Sequence, residues 1–282
     1  MLAQWFGYVL NFLYEIFNNY GLALIIFSVL IKLLFLPISI KQQKTMKKSA
    51  KVQAEMQKIQ AKYKNNPEKM NQEVMDLYKR EKMSPFSGCL SGIVQIVLLF
   101  AVFYLVRSPL TYMKKVDPQI VQDYIAEIKQ ENPDNKNMAY PEIEVIEKKG
   151  AEDPVVSINM DFLGIDLSKV PTQSLNDPRV YVIPILYVVS SFISMRMTTS
   201  MQTKKKEKES EPVEDQKEST NELDTVTQMN KSMSWMMPIM SVSIAVIAPL
   251  GLALYWLVNN ILMIAERLIL NKILKDKGED EE

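Results

Sequence analysis

Residues 20–40 read YGLALIIFSVLIKLLFLPISI, a run of 21 residues with one charge, Lys32. At 1.5 Å per residue such a helix covers about 31 Å, the thickness of a hydrocarbon core. Taking this stretch as a membrane span decides the fold class, because the rest of the chain is patterned the same way. A mean hydropathy of −0.05 and 23% charged residues resemble a soluble protein. The average conceals long apolar blocks alternating with charged ones.

Phe86 to Val106 is a second charge-free run of 21 residues. Val180 to Met195 gives 16 more, extendable because Arg179 and Arg196 reach toward head groups. Ser232 to Ala265 is charge-free over 34 residues, about 51 Å as one helix, too long for one crossing. Pro249 and Gly251 near its middle divide it into two short spans joined by a turn. The reading is an all-α polytopic membrane protein with five transmembrane helices around a hydrophilic groove. Its spans are expected at 20–40, 85–106, 179–201, 232–249 and 250–268.

Lysine and arginine set the expected orientation. The segment 41–84 carries 12 basic and 5 acidic residues, whereas 107–178 carries 8 basic and 13 acidic. The first belongs in the cytosol and the second outside, with the N-terminus outside and the tail 269–282 cytosolic. No secretory signal peptide is read at the N-terminus. Within 1–19, Trp5, Val9, Phe12 and Ile16 recur at helical spacing, which reads as an external helix lying in the membrane interface or as an uncleaved signal anchor.

The composition excludes much chemistry. The chain has no histidine and one cysteine, Cys89, which removes histidine-based zinc sites, Ser-His and Cys-His nucleophile pairs, and an intramolecular disulfide. No phosphate-cradling glycine loop is present. No catalytic residues, metal or cofactor are expected, and the protein is read as not an enzyme. In 41–84, Val52, Met56, Ile59 and Tyr63, then Met70, Val74 and Leu77 after Asn65-Asn66-Pro67, trace the seams of two antiparallel helices. This basic hairpin either packs only on itself or docks a partner. Segment 202–231 reads as a disordered linker, and YPEIEVIEKKG at 140–150 alternates briefly like a strand.

Lys32 lies about 13 Å inside the expected cytosolic end of its span, deep for a snorkelling ammonium. A lysine at mid-span costs about 2.5–3.5 kcal/mol on insertion scales, so it faces a water-filled cavity or distorts the bilayer locally. Gln95, Tyr187, Ser190 or Ser191, Ser194, Tyr255, Trp256 and Asn259 are the polar and aromatic candidates to line the same groove. No acidic residue is expected within a span, which weakens a transporter reading. Gly88 and Gly92 form a GxxxG spacing that suits close helix packing. Met233, Met236, Met237 and Met240 either fill packing gaps or offer an adaptable apolar surface to substrate.

IKLLFLPISIKQQKTMKK, then PFSGCLSGIVQIVLLFAVFYLV, FLGIDLS, NDPRVYVIPILYVVSSFIS and MSWMMPIMSVSIAVIAPLGLALYWLVNNI occur in that order. Together they resemble the YidC/Oxa family of membrane protein insertases over most of 21–274. The resemblance implies a chaperone-like insertase in the bacterial plasma membrane, multi-pass, whose groove is open to cytosol and lipid. Implied partners are nascent membrane proteins and the lipid bilayer, with the ribosome, the signal recognition machinery and the general secretion channel as further candidates and no DNA. It also implies that Lys32 stands where the family carries a groove arginine. Ser91 replaces a proline, Ser194 aligns with a glutamine, and the tail GEDEE argues against a basic ribosome-binding extension. Rival readings are a small transporter or channel, or a scaffold recruiting partners through the hairpin.

Overall fold

The structure is a computed structural model of the 282-residue chain. It describes residues 2–63, 66–82, 87–131, 139–206 and 245–279. The chain forms two compact units, one of Ile31–Ala101 and the other of Met1–Leu30 with Val102–Glu282.

In the larger unit, α1 (Leu2–Phe17) buries Phe6, Gly7, Leu10 and Leu13. Its other face leaves Trp5, Tyr8, Phe12 and Ile16 exposed. The buried face packs on a single π-helical turn, Leu110–Lys114. Gly7 permits this approach, since a Cβ there would lie 1.9 Å from the Tyr112 carbonyl oxygen. The helix ends at Asn18, whose φ of 46° is one that asparagine tolerates. Asn19 then caps α2 (Tyr20–Lys62), its side-chain oxygen accepting from Leu22 N–H at 3.0 Å.

The continuous α2, 43 residues through Pro37, was expected as a span and a separate hairpin helix. The sequence between has no glycine or capping residue strong enough to end it, and Pro37 costs one main-chain bond without stopping the helix. In the smaller unit the distal part of α2 lies antiparallel to α3 (Pro67–Arg80). Arg80 pairs with Glu55 at 2.6 Å, and the Tyr63 hydroxyl donates to Glu73 at 3.3 Å. Val52 and Leu77 are buried between them, with Met56, Ile59, Tyr63, Met70 and Val74 half-buried. α4 (Ser87–Arg107) follows.

Residues 107–131 and 139–178 form a folded lobe. α5 (Pro118–Glu131) packs Val121, Ile125 and Ile128 against Ile143, Val145 and Ile146 of α6 (Pro141–Lys149). The strand expected around 140–150 is therefore a helix. Pro141 at the first turn, Glu142 and Glu144 beside it and Lys148 and Lys149 in the last turn are helix-end signals that outweigh a brief alternation. Lys149 reaches Glu127 at 2.8 Å, Tyr124 donates to Asp153 at 2.9 Å, and Lys114 donates to the Ser157 carbonyl at 2.9 Å.

The lobe continues as a strap across two helix starts. Tyr20 N–H donates to the Asn159 carbonyl at 3.0 Å, and Asn19 donates its amide to the Asp161 carbonyl at 2.6 Å. A hairpin of β1 (Asp161–Phe162) and β2 (Ile165–Asp166) turns at Leu163-Gly164, both with positive φ. The Leu167 and Lys169 carbonyls then accept from Gly251 and Leu250, each at 2.9 Å, capping the last helix. α7 (Val182–Lys206) and α8 (Leu250–Glu279) pack against each other more extensively than any other pair of helices described.

Three helical segments are long and apolar enough to cross a membrane: Tyr20–Thr45, Pro178–Met197 and Leu250–Leu270. They overlap the stretches read as the first, third and fifth spans. In α4 the described apolar stretch is Val97–Arg107, and the expected fourth span, 232–249, lies outside the described residues except for 245–249. The last segment corrects one expectation, because its final turns include Glu266 and Arg267. Five consecutive apolar residues before Glu266 and three after Arg267 keep the helix apolar around the pair.

Candidate substrate groove

The polar seam is built where α7 meets α8. On α7, Tyr187, Ser191 and Ser194 recur at four- and three-residue spacing and therefore share one face, with Ser190 beside them. Tyr187, Ser190 and Ser194 are buried, and Ser191 is half-buried. On α8, Trp256 and Asn260 lie one turn apart on the face toward α7. The Trp256 ring tilts against Tyr187, with centroids 6.0 Å apart and planes at 35°.

One turn along, the Asn260 amide donates to Ser191 Oγ at 2.7 Å and to Ser190 Oγ at 3.3 Å. Ser190 in turn donates its hydroxyl to the Tyr187 carbonyl at 2.8 Å. The result is a continuous aromatic-to-amide seam between two apolar helices. Buried hydroxyls of this kind are retained only when bonded, and here each bond crosses to, or runs back along, a helix.

Of the expected groove residues, this seam brings together Tyr187, Ser191 and Trp256. Tyr255 is buried and Asn259 half-buried, about 100° around α8 from Trp256 and Asn260. Ser194 is buried on α7. Lys32 is half-buried in α2, within the Ile31–Ala101 unit, which also contains the part of α4 up to Ala101 and so the Gln95 backbone. The Gln95 side chain and Met233, Met236, Met237 and Met240 lie outside the described residues. Asn260 was missed from sequence. Its signal was available in the four-residue step from Trp256, but the adjacent Asn259 made the pair ambiguous without knowing which face meets α7.

Among the described residues no cluster of His, Cys, Asp or Glu is arranged to hold a metal ion. The seam carries amides, hydroxyls and rings, with no nucleophile and base in contact.

Apolar helices of membrane-crossing length joined by polar seams define the class as helical membrane protein. Residues 12–277 match the model of the 60Kd inner membrane protein family, and the chain belongs to that family, the YidC/Oxa family. It is 29% identical over 280 residues to the membrane protein insertase YidC of Citrifermentans bemidjiense, an alignment covering 96% of this chain and 38% of that protein. It is 30% identical over 265 residues to that of Geotalea uraniireducens, covering 94% and 36%. Against the protein from Chlorobaculum parvum it is 30% identical over 269 residues, covering 95% and 36%. The chain thus spans little more than a third of the length of these curated relatives.

Proposed function

We propose that this protein is a membrane protein insertase of the bacterial plasma membrane, acting on nascent membrane proteins. The observation that carries the reading is the family match across residues 12–277, which takes in the Lys32 helix and the α7–α8 seam alike. A nascent segment docks at the basic surface of α2 and α3, its polar tail enters a wet groove lined by Lys32, Gln95 and Trp256, and its apolar part passes into lipid. Tyr187, Ser191, Ser194, Tyr255 and Asn259 complete the polar lining, and Met233, Met236, Met237 and Met240 meet the apolar part. No bond is made or broken. Transfer of each strongly apolar residue contributes about 0.3–0.6 kcal/mol on insertion scales, and that drives the step.

In this reading Lys32 attracts acidic residues of the translocating tail as a compact point charge. An arginine would hold a carboxylate through two parallel bonds, which lysine does not offer. The multi-pass arrangement has five spans, with the N-terminus outside and the 41–84 hairpin in the cytosol. The ribosome, the signal recognition machinery and the secretion channel are candidate partners of that hairpin.

The test is reconstitution in liposomes with a single-span substrate bearing a short acidic tail, followed by protease protection. Wild type should insert the substrate, Lys32→Ala should insert it poorly, and Lys32→Arg should restore it. Insertion no better than in empty liposomes would sink the proposal; equal activity of wild type and Lys32→Ala would remove the groove charge from the mechanism.

A further inference from the structure

Just before the span that begins at Pro178, the larger unit forms an open cleft of about 660 Å³, lined by Glu147, Lys169, Gln173, Asn176, Asp177 and Arg179 among others. Its charges are not equivalent. Arg179 is committed: its Nε and Nη2 donate to the two carboxylate oxygens of Asp177 at 3.0 and 3.2 Å, and its Nη1 to the Gly164 carbonyl at 3.2 Å. That pair neutralises itself. The Lys169 ammonium and the Glu147 carboxylate, by contrast, form no direct hydrogen bond or ion pair with the described residues, although Asp166, Glu144 and Lys148 act on Glu147 through space and Lys169 acts on Asp177. They lie within electrostatic reach of each other.

Lys169 is also well anchored. Its N–H donates to the Asp166 carbonyl at 3.3 Å and its carbonyl accepts from Leu250 at 2.9 Å, so its backbone is fixed while its ammonium makes no direct hydrogen bond to the described residues. From Arg179 an apolar stripe runs down the adjoining span through Val182, Ile185, Leu186 and Val189, all exposed. Within α7 these positions recur at three- and four-residue steps on one face, directly after the 3-10 turn Pro178–Tyr181 that carries Arg179. Leu175, 70% exposed, stands at the rim.

A pocket whose cation and anion have their direct hydrogen-bonding capacity open, at the head of an apolar stripe, has the charge pattern of an amphiphile's counterpart. We propose that the cleft seats the head group of a phospholipid with a primary amine, Lys169 taking the phosphate and Glu147 the ammonium, with an acyl chain along the stripe. A purely anionic head group satisfies Lys169 but sets a negative charge against Glu147. A trimethylated choline presents the right charge yet donates no hydrogen bond.

The experiment reconstitutes the full chain in nanodiscs of mixed phosphatidylethanolamine, phosphatidylcholine and phosphatidylglycerol, releases it in mild detergent, and counts retained lipids by native mass spectrometry. Phosphatidylethanolamine should be retained preferentially. Lys169→Gln and Glu147→Gln should each reduce that retention about tenfold, the equivalent of one charge-assisted hydrogen bond, and Lys169→Arg should preserve it. Equal retention of phosphatidylglycerol overturns the amine assignment, and a preference that survives both Gln variants overturns the site. Should Lys169→Gln fail to fold, the head-group comparison on wild type and Lys169→Arg still decides. Lipid retention is read without any insertion step, so the outcome stands apart from the proposed insertase activity.

Discussion

Leu163 occupies the left-handed region at φ 56°, followed by Gly164 at φ 77°, in the two-residue turn of the β1–β2 hairpin. That turn requires positive φ at both positions, which asparagine-glycine adopts readily and a leucine does not. Leu163 is 85% exposed, so packing within the chain offers little compensation. Leu163→Asn should raise the stability of the purified protein by about 1 kcal/mol, the lower end of the left-handed penalty, read as a higher thermal midpoint in detergent. An unchanged midpoint means the turn is not strained. Glu142 poses a different residue-level problem. It is 6% exposed and accepts from the Thr111 N–H at 2.9 Å and the Thr111 hydroxyl at 2.6 Å. Burial pushes its carboxyl above the ordinary glutamate value, and the Thr111 bonds oppose this only in part. The folded chain therefore binds this proton more tightly than the unfolded chain. Stability from this group is greatest below the ordinary value of about 4.3 and falls as pH rises through the higher folded value. Glu142→Gln should flatten that slope in midpoint-against-pH curves; a slope that persists assigns it to another group.

At the scale of elements, α7 and α8 are joined through Asn260, Ser190 and Ser191. Interhelical hydrogen bonds in membranes average about 0.6 kcal/mol. A double-mutant cycle of Asn260→Ala and Ser191→Ala, followed by unfolding in mixed micelles, should give a coupling of that size, whereas additive effects mean the bond is not formed in the membrane. The α1 contact is steric instead. Gly7→Val sets new atoms against the Tyr112 carbonyl and should destabilise the packing of α1 by about 1–3 kcal/mol, detected as faster proteolysis within 1–19. Spacing made α1 and the seams of α2 and α3 legible, because a helix repeats its apolar face every three or four residues. Alternation misled at 140–150, where a two-residue period over so short a stretch competes poorly with the charges and proline that favour a helix. Asn260 was illegible for a related reason: two adjacent amides point about 100° apart on a helix, and only the neighbour decides which one is used.

For the whole molecule, the expected arrangement places 41–84 in the cytosol and 107–178 outside. In a Cys89→Ser background, single cysteines at Lys58 and Lys129 separate the alternatives. A membrane-impermeant maleimide added to intact cells or spheroplasts should label the second and spare the first. The reverse labelling overturns the orientation drawn from basic residues. The segment 107–178 contains no cysteine and so no disulfide to hold it together. It folds through an apolar core of α5 and α6, through Lys149, Tyr124 and Glu142 bonds, and through the strap that caps α2 and α8. None of those long-range partners is written in a local pattern.

The sequence by itself determined the class and which apolar runs are long enough to cross a membrane, since hydrocarbon thickness translates directly into run length. It also determined the family, through an ordered set of motifs along most of the chain. The tertiary structure decided which polar side chains meet, how 107–178 folds, and that one helix runs unbroken from Tyr20 to Lys62. The physical reason is range. Hydropathy and helical period act over a few turns, whereas the Asn260 bond to Ser191 and the Leu250 bond to Lys169 join residues tens of positions apart, and only packing brings those into register.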